Sequence, residues 1–124
     1  MPLTASAGCE DGGVAELTRR IWPETAEALM RSRFEAFRDG DADWLLASWH
    51  HSTRPASLDL TQNPRWRGLQ IVDTVAGTET DDTGIVEFKA TYFRQQDLQV
   101  LHERSRFVRA DGRWYYLDAV DTVL

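Results

Sequence analysis

The side chains best suited to chemistry lie near the end of the chain, on both sides of the turn sequence Asp111-Gly112. An Asp-Gly pair between two alternating segments predicts a two-stranded hairpin. The predicted register pairs Arg109 with Trp114, Phe107 with Tyr116 and Ser105 with Asp118. Aromatic, hydroxyl and carboxyl side chains then share one face of the hairpin. They are Glu103, Ser105, Phe107, Trp114, Tyr116 and Asp118. A carboxyl group among apolar rings has a raised pKa, so this face suits proton transfer or ligand binding.

Arg33 is the cation that we expect to meet this face. It lies inside the apolar stripe of a predicted helix, between Leu29 and Phe37 in angular position, so it is not a simple surface charge. We expect it to contact Glu103 or Asp118 between helix and sheet. Two interpretations stay open, a buried structural ion pair or an Arg–carboxylate pair that lines a pocket. The predicted ligand-binding residues are Arg33, Trp49, Glu103, Ser105, Phe107, Trp114 and Tyr116.

An acid–base site is the catalytic candidate. Its groups are Glu103 or Asp118 as the base, Tyr116 as a proton donor and His50 near the rim. A nearby Arg33 opposes this chemistry, because it stabilises the charged carboxylate and so weakens the base. The alternative for Tyr116 is packing, with its hydroxyl hydrogen-bonded to one partner.

The histidines raise the question of a metal site formed by His50, His51 and His102. Adjacent helical side chains point about 100° apart and do not converge on one ion. His102 also lies on the hairpin face opposite Glu103. We therefore predict no metal, and we expect His50 to end a helix. Motifs for a nucleophile elbow, a phosphate loop or a dinucleotide site do not occur in the sequence, so no cofactor is predicted.

Helices are predicted first along the chain and strands afterwards. Thr25 can cap a helix that ends at Gly40, and Asp41 can cap a second helix that runs to about His50. A short helix is also expected over 14–22. After a connection over 52–67, four strands are predicted over 69–76, 85–93, 101–109 and 113–120. This order predicts an α+β fold, with the helices packed on one face of an antiparallel sheet.

The composition argues against several kinds of partner. The formal net charge is −6, which opposes binding to nucleic acid or to an anionic membrane surface. Cys9 is the single cysteine, and the sequence contains no apolar run near the ~20 residues of a membrane span. Residues 1–13 lack the features of a secretory signal. We expect a cytoplasmic protein with a flexible segment over 1–13 and one domain over 14–124.

The other face of the hairpin carries a basic stripe of His102, Arg104 and Arg106. One interpretation is a homodimer that forms through this face of the sheet. The alternative is a solvent-exposed face with cross-strand salt bridges.

A series of motifs runs in order along the chain. They are TAEALMRSRF (25–34), DADWLLA (41–47), STRP (52–55), WRGL (66–69), LHERSRF (101–107) and DGRWYY (111–116). In sequence and spacing this series resembles the YchJ-like family. The resemblance implies an NTF2-like fold, in which a curved antiparallel sheet wraps around helices to form an open cone. Many members also carry a cysteine-rich SEC-C zinc motif, which Cys9 alone does not match, so zinc binding is not carried over.

The resemblance implies no established biochemical activity, since NTF2-like proteins include both enzymes and binding domains. The leading hypothesis is a domain that binds a small molecule or a protein segment in its cone. The alternative is an acid–base enzyme of the isomerase, dehydratase or hydrolase type. A purely structural interaction module is the third hypothesis.

Overall fold

The computed structural model describes residues 20–122. Two helices precede four strands: α1 (Ala26–Asp39), α2 (Ala42–Ala47), β1 (Arg65–Ala76), β2 (Thr83–Arg94), β3 (Asp97–Ala110) and β4 (Arg113–Thr122). The predicted flexible segment 1–13, with Cys9, lies outside the described residues, as does most of the helix predicted over 14–22. Residues 20–22 of that span have no regular secondary structure.

The first helix begins and ends where capping chemistry predicts. The Thr25 hydroxyl accepts a hydrogen bond from the backbone N–H of Ala28, and Gly40 adopts the left-handed conformation that commonly ends helices. The face that carries Leu29 and Phe34 is buried, and Arg33 is buried with it. One stripe of α1 therefore supplies both the core and a buried charge.

The second helix is shorter than predicted. Asp41 caps it through the N–H of Trp44, but it ends at Ala47 and not near His50. The backbone leaves the helix because it pairs with β4. The N–H of Tyr116 donates to the carbonyl of Ser48, and the N–H of His50 donates to the carbonyl of Tyr116. Strand pairing therefore replaces the last predicted helical turn.

The four strands form an antiparallel meander in the order β1-β2-β3-β4, and α1 packs on its inner face. The α+β prediction is therefore confirmed. β1 begins at Arg65, four residues before the predicted start at Leu69. The sequence places these early residues in the connection over 52–67, which contains Pro55 and Pro64. Trp66 fixes this stretch by packing on Phe34, with their ring centroids 6.2 Å apart.

The pairing of β3 with β4 contains the main error in the predicted register. Phe107 pairs with Tyr116 as expected, but Ser105 pairs with Ala119 and not with Asp118. An extra residue at Leu117 interrupts the ladder as a β-bulge. Beyond the bulge Asp118 pairs with Arg106 on the outer face, since a shift of one residue moves a side chain to the other face.

The outer face of the sheet carries cross-strand ion pairs. Glu87 accepts hydrogen bonds from His102 and Arg104 at 2.6 and 2.7 Å, and Arg106 forms two bonds of 2.7 Å with Asp118. The hydrogen bonds from His102 and then Arg104 lower the pKa of Glu87. Cross-strand salt bridges were one of the two interpretations of this face. A homodimer through it stays a prediction.

The described helices are too short to cross a bilayer. α1 has 14 residues and α2 has six, against the ~20 residues that a span requires.

Candidate functional site

A cavity of about 140 Å³ lies between the C-terminal half of α1 and the inner face of the sheet. Helical spacing along α1 and alternation along β2 and β3 point side chains into it from both sides. Its walls are mostly apolar and largely aromatic, and include Met30, Phe34, Phe37, Trp66, Phe88 and Leu101. Three polar side chains and two amphipathic rings complete the lining: Arg33, Glu103, Ser105, Trp49 and Tyr116.

Arg33 places a buried positive charge in this wall. Its side chain comes from the buried stripe of α1, and the residue is 3% exposed. Nη1 donates to the carbonyl of Leu45 at 2.8 Å and to the hydroxyl of Ser48 at 2.7 Å. Burial lowers the pKa of Arg33 to about 10, so the guanidinium remains a cation at neutral pH.

Two aromatic rings flank this guanidinium. Its central carbon lies 4.5 Å from the ring centroid of Tyr116 and 5.2 Å from that of Trp49. Ring faces attract a cation without neutralising it. The contacts of Arg33 in the described chain are therefore a carbonyl, a hydroxyl and two rings, all of them neutral. The predicted ion pair with Glu103 or Asp118 is not formed, because Ser48 and Leu45 hold the guanidinium instead.

Both charged groups of the cavity act on Tyr116. Burial raises the pKa of the Tyr116 hydroxyl, and the charge of Glu103 raises it further, while Arg33 acts in the opposite direction. The phenol therefore stays protonated at neutral pH. In that state it is a hydrogen-bond donor for a group inside the cavity.

Ser105 presents a hydroxyl that nothing in residues 20–122 engages. The residue is 1% exposed and lines the cavity, yet its Oγ makes no hydrogen bond within that span. A buried hydroxyl without a partner costs roughly 1–3 kcal/mol. Such a group is a natural contact point for a polar atom of a bound molecule.

The structure brings together most of the predicted ligand-binding residues. Those that line the cavity are Arg33, Trp49, Glu103, Ser105 and Tyr116. Phe107 and Trp114 are fully buried in the core beside it and are not part of its lining.

The predicted catalytic groups are separated by the fold. Glu103 and Tyr116 line the cavity. Asp118 lies on the outer face, where its hydrogen bonds with Arg106 lower the pKa of its carboxyl group. His50 is outside the cavity lining, with its Nδ1 2.8 Å from the hydroxyl of Ser52. Asp118 therefore cannot act in this cavity as predicted.

Trp66 is a cavity residue that sequence reasoning missed. Its indole N–H donates to Asn63, whose side-chain amide donates to the carbonyl of Phe37. This chain of bonds fixes the ring against the end of α1. Alternation does not reveal this residue, because a register shift between Trp66 and Gly68 puts Trp66 out of phase with the core positions Leu69 and Ile71.

Metal-ligating side chains do not cluster in the described residues. Among residues 20–120, whose side chains the structure describes, three or more His, Cys, Asp or Glu side chains do not converge in a way that could hold an ion. The polar groups of the cavity are instead a guanidinium, a carboxyl, a hydroxyl and a phenol, which suit organic ligands.

Comparisons with known proteins agree on one family. The family model described as "YchJ, middle NTF2-like domain" matches residues 25–119. A UPF0225 protein of Streptomyces coelicolor is 55% identical over 94 residues, which cover 76% of this chain and 73% of that protein. A UPF0225 protein of Chromobacterium violaceum is 42% identical and covers 94% of each chain.

A solved structure has the same architecture. It is the solution structure of a SEC-C motif containing protein from Rhodopseudomonas palustris, with a TM-score of 0.74 and 28% identity. The match covers 89% of this chain and 88% of that one.

Proposed function

This chain belongs to the YchJ family of NTF2-like domains, and on that premise we propose that it binds a small organic molecule in the cavity between α1 and the sheet. The supporting observation is the composition of the cavity walls. Apolar rings surround a few polar groups that converge on one space, as in sites for small ligands. Arg33, Ser105 and Tyr116 supply donors, and Glu103 supplies a carboxyl group.

The cavity volume favours a small ligand. Drug-sized ligands occupy pockets of roughly 300–1,000 Å³, whereas an apolar cavity of roughly 150 Å³ holds benzene. At about 140 Å³ this cavity suits a single ring with one or two substituents. A protein segment, the other occupant that the sequence suggested, needs a longer groove. The size therefore favours a small molecule.

The first test uses benzyl alcohol, a neutral ring with one polar group. We expect dose-dependent shifts in the ¹H–¹⁵N NMR spectrum at Phe88, Ala90 and Ser105, with a dissociation constant on the order of 1 mM for so small a ligand. Ala90 lines the cavity and is buried, so Ala90→Leu fills the space and abolishes the shifts.

Val100→Leu is the matched control, because it enlarges a strand residue that is 51% exposed. This variant keeps the benzyl alcohol response. Binding that survives Ala90→Leu, or shifts that are confined to residues far from the cavity, would contradict the proposal.

An acid–base enzyme is the second candidate, favoured by the presence of Glu103 and Tyr116 in one cavity. The position of Asp118 on the outer face removes one of the two candidate bases from the cavity, which makes binding the preferred function. Proton abstraction would exchange carbon-bound hydrogen of a cyclic ketone for solvent deuterium. Hydrogen–deuterium exchange of the ketone that the wild type catalyses and Glu103→Gln does not would favour the enzyme.

A further inference from the structure

We infer that the ligand of this cavity is a small cyclic or aromatic carboxylate whose acid group binds Arg33 and Ser105. This inference rests on the proposed function and deepens it, since it names the chemical class of the ligand. It comes from two groups in the wall whose bonding within residues 20–122 is incomplete.

The first group is the Arg33 guanidinium. It has five N–H donors, and the hydrogen bonds that it makes to residues 20–122 leave from Nη1 alone. Both acceptors are neutral, and the flanking Tyr116 and Trp49 rings are neutral as well. A buried charge is costly unless it is paired, so a carboxylate that enters the cavity relieves that cost. Arginine also matches the planar geometry of a carboxylate with two parallel bonds.

The second group is the Ser105 hydroxyl. It lies on β3, in the cavity wall opposite the helix that carries Arg33, and it is 1% exposed with no hydrogen bond to the described chain. A hydroxyl can donate to one oxygen of a carboxylate while a guanidinium binds the other. Two independent buried donors that face one small space favour an acceptor-rich, anionic group over a neutral one.

Glu103 is the negative group that an anion meets in the same cavity. It is only partly buried, whereas Arg33 is fully buried. Solvent screens a partly exposed charge more strongly than a buried one. The buried guanidinium therefore makes the cavity prefer a negatively charged ligand. Such a ligand places its acid group inward and its ring against the aromatic walls.

Three probes of nearly equal size separate this inference from the proposed function: benzoate, benzamide and benzyl alcohol. Benzoate is ionised at neutral pH, and benzamide has the same shape without the charge. We expect benzoate to bind at least about tenfold more tightly than benzamide in NMR titrations, as loss of one charge-assisted hydrogen bond implies. The Arg33 side-chain N–H signals should shift with benzoate.

The outcomes are distinct. Equal binding of the three probes, or binding of the neutral probes alone, overturns the carboxylate preference and leaves small-molecule binding intact. If none of the three probes binds at about 20 mM, well above the Kd expected for fragments, both the carboxylate preference and the proposed small-molecule binding are overturned.

Variants identify the groups responsible. Arg33→Gln should remove the preference for benzoate over benzamide, and Ser105→Ala should weaken benzoate binding about threefold to tenfold while the protein stays folded. Arg113→Gln is the matched control. It removes the same charge from an arginine that stacks on Trp22, 4.6 Å from the ring centroid and outside the cavity lining. An equal loss of benzoate affinity in Arg113→Gln, or unchanged affinity in Ser105→Ala, would contradict the assigned contacts.

Discussion

Two buried serines allow a direct test of the bonding inferred for the cavity. Ser48 is 0% exposed and Ser105 is 1% exposed, so replacement of either by alanine removes one hydroxyl from the same depth. Their bonding differs completely. The Ser48 hydroxyl accepts from Arg33 at 2.7 Å and donates to the carbonyl of Trp44 at 2.7 Å, whereas the Ser105 hydroxyl has no partner in the described chain.

The magnitudes follow from these contacts. A hydrogen bond to a charged group contributes roughly 1.5–3 kcal/mol, and Ser48→Ala also leaves Arg33 with one acceptor fewer, so we expect a loss of about 2 kcal/mol in the free energy of unfolding. Ser105→Ala breaks no hydrogen bond and ends the cost of a buried, unpaired hydroxyl. Its stability should be unchanged or higher by up to ~1 kcal/mol.

Urea unfolding followed by tryptophan fluorescence measures both variants. The midpoints report stability alone when the free energy of unfolding depends on urea concentration with the same slope in the wild type and both variants. We expect the midpoint of Ser48→Ala to fall clearly below that of the wild type and the midpoint of Ser105→Ala to equal or exceed it. If Ser105→Ala loses as much stability as Ser48→Ala, the Ser105 hydroxyl has a partner in the free protein. The reasoning that assigns it to a ligand would then be refuted.

Two further predictions concern the fold. Gly84→Ala should destabilise the protein by about 1–3 kcal/mol in urea unfolding, because its Cβ would lie 2.6 Å from the Cα of Gly77. Gly68→Ala should cost less, since its Cβ would meet only the Thr91 side chain at 3.3 Å, and equal losses would count against this explanation. The second prediction concerns Glu87, whose pKa is lowered by bonds from His102 and Arg104. A carboxyl with a lowered folded-state pKa stabilises the protein above its unfolded-state pKa, near 4, and loses that contribution as the pH falls through the folded-state value. The stability difference between the wild type and Glu87→Gln should therefore shrink from pH 7 to pH 3, and a difference independent of pH would contradict it.

Local chemistry allowed much of the fold to be predicted. Thr25, Gly40 and Asp41 act as caps through contacts with nearby residues, so their roles can be read from the sequence. Asp111-Gly112 likewise determined the hairpin and the pairing of Phe107 with Tyr116. These features depend on residues that are close in the chain.

The errors came from contacts between distant segments. The end of α2 depends on pairing with β4, and the start of β1 depends on the packing of Trp66 against α1. The partners of Arg33 could not be predicted for the same reason. A cation in an apolar stripe indicated a buried charge, but the choice of Ser48 over a carboxylate is made by the position of α2.

The bulge at Leu117 has a consequence for the comparison of relatives. Because the strand gains one residue there, odd and even positions exchange sides of the sheet at Asp118 and Ala119, and a second register shift follows between Ala119 and Asp121. Without the bulge, Asp118 would face the cavity beside Glu103. The two carboxylates would repel each other and would disfavour an anionic ligand. An alignment that pairs this strand without a gap to a homologue that lacks the bulge would therefore attribute Asp118 to the interior and misjudge the charge of the cavity.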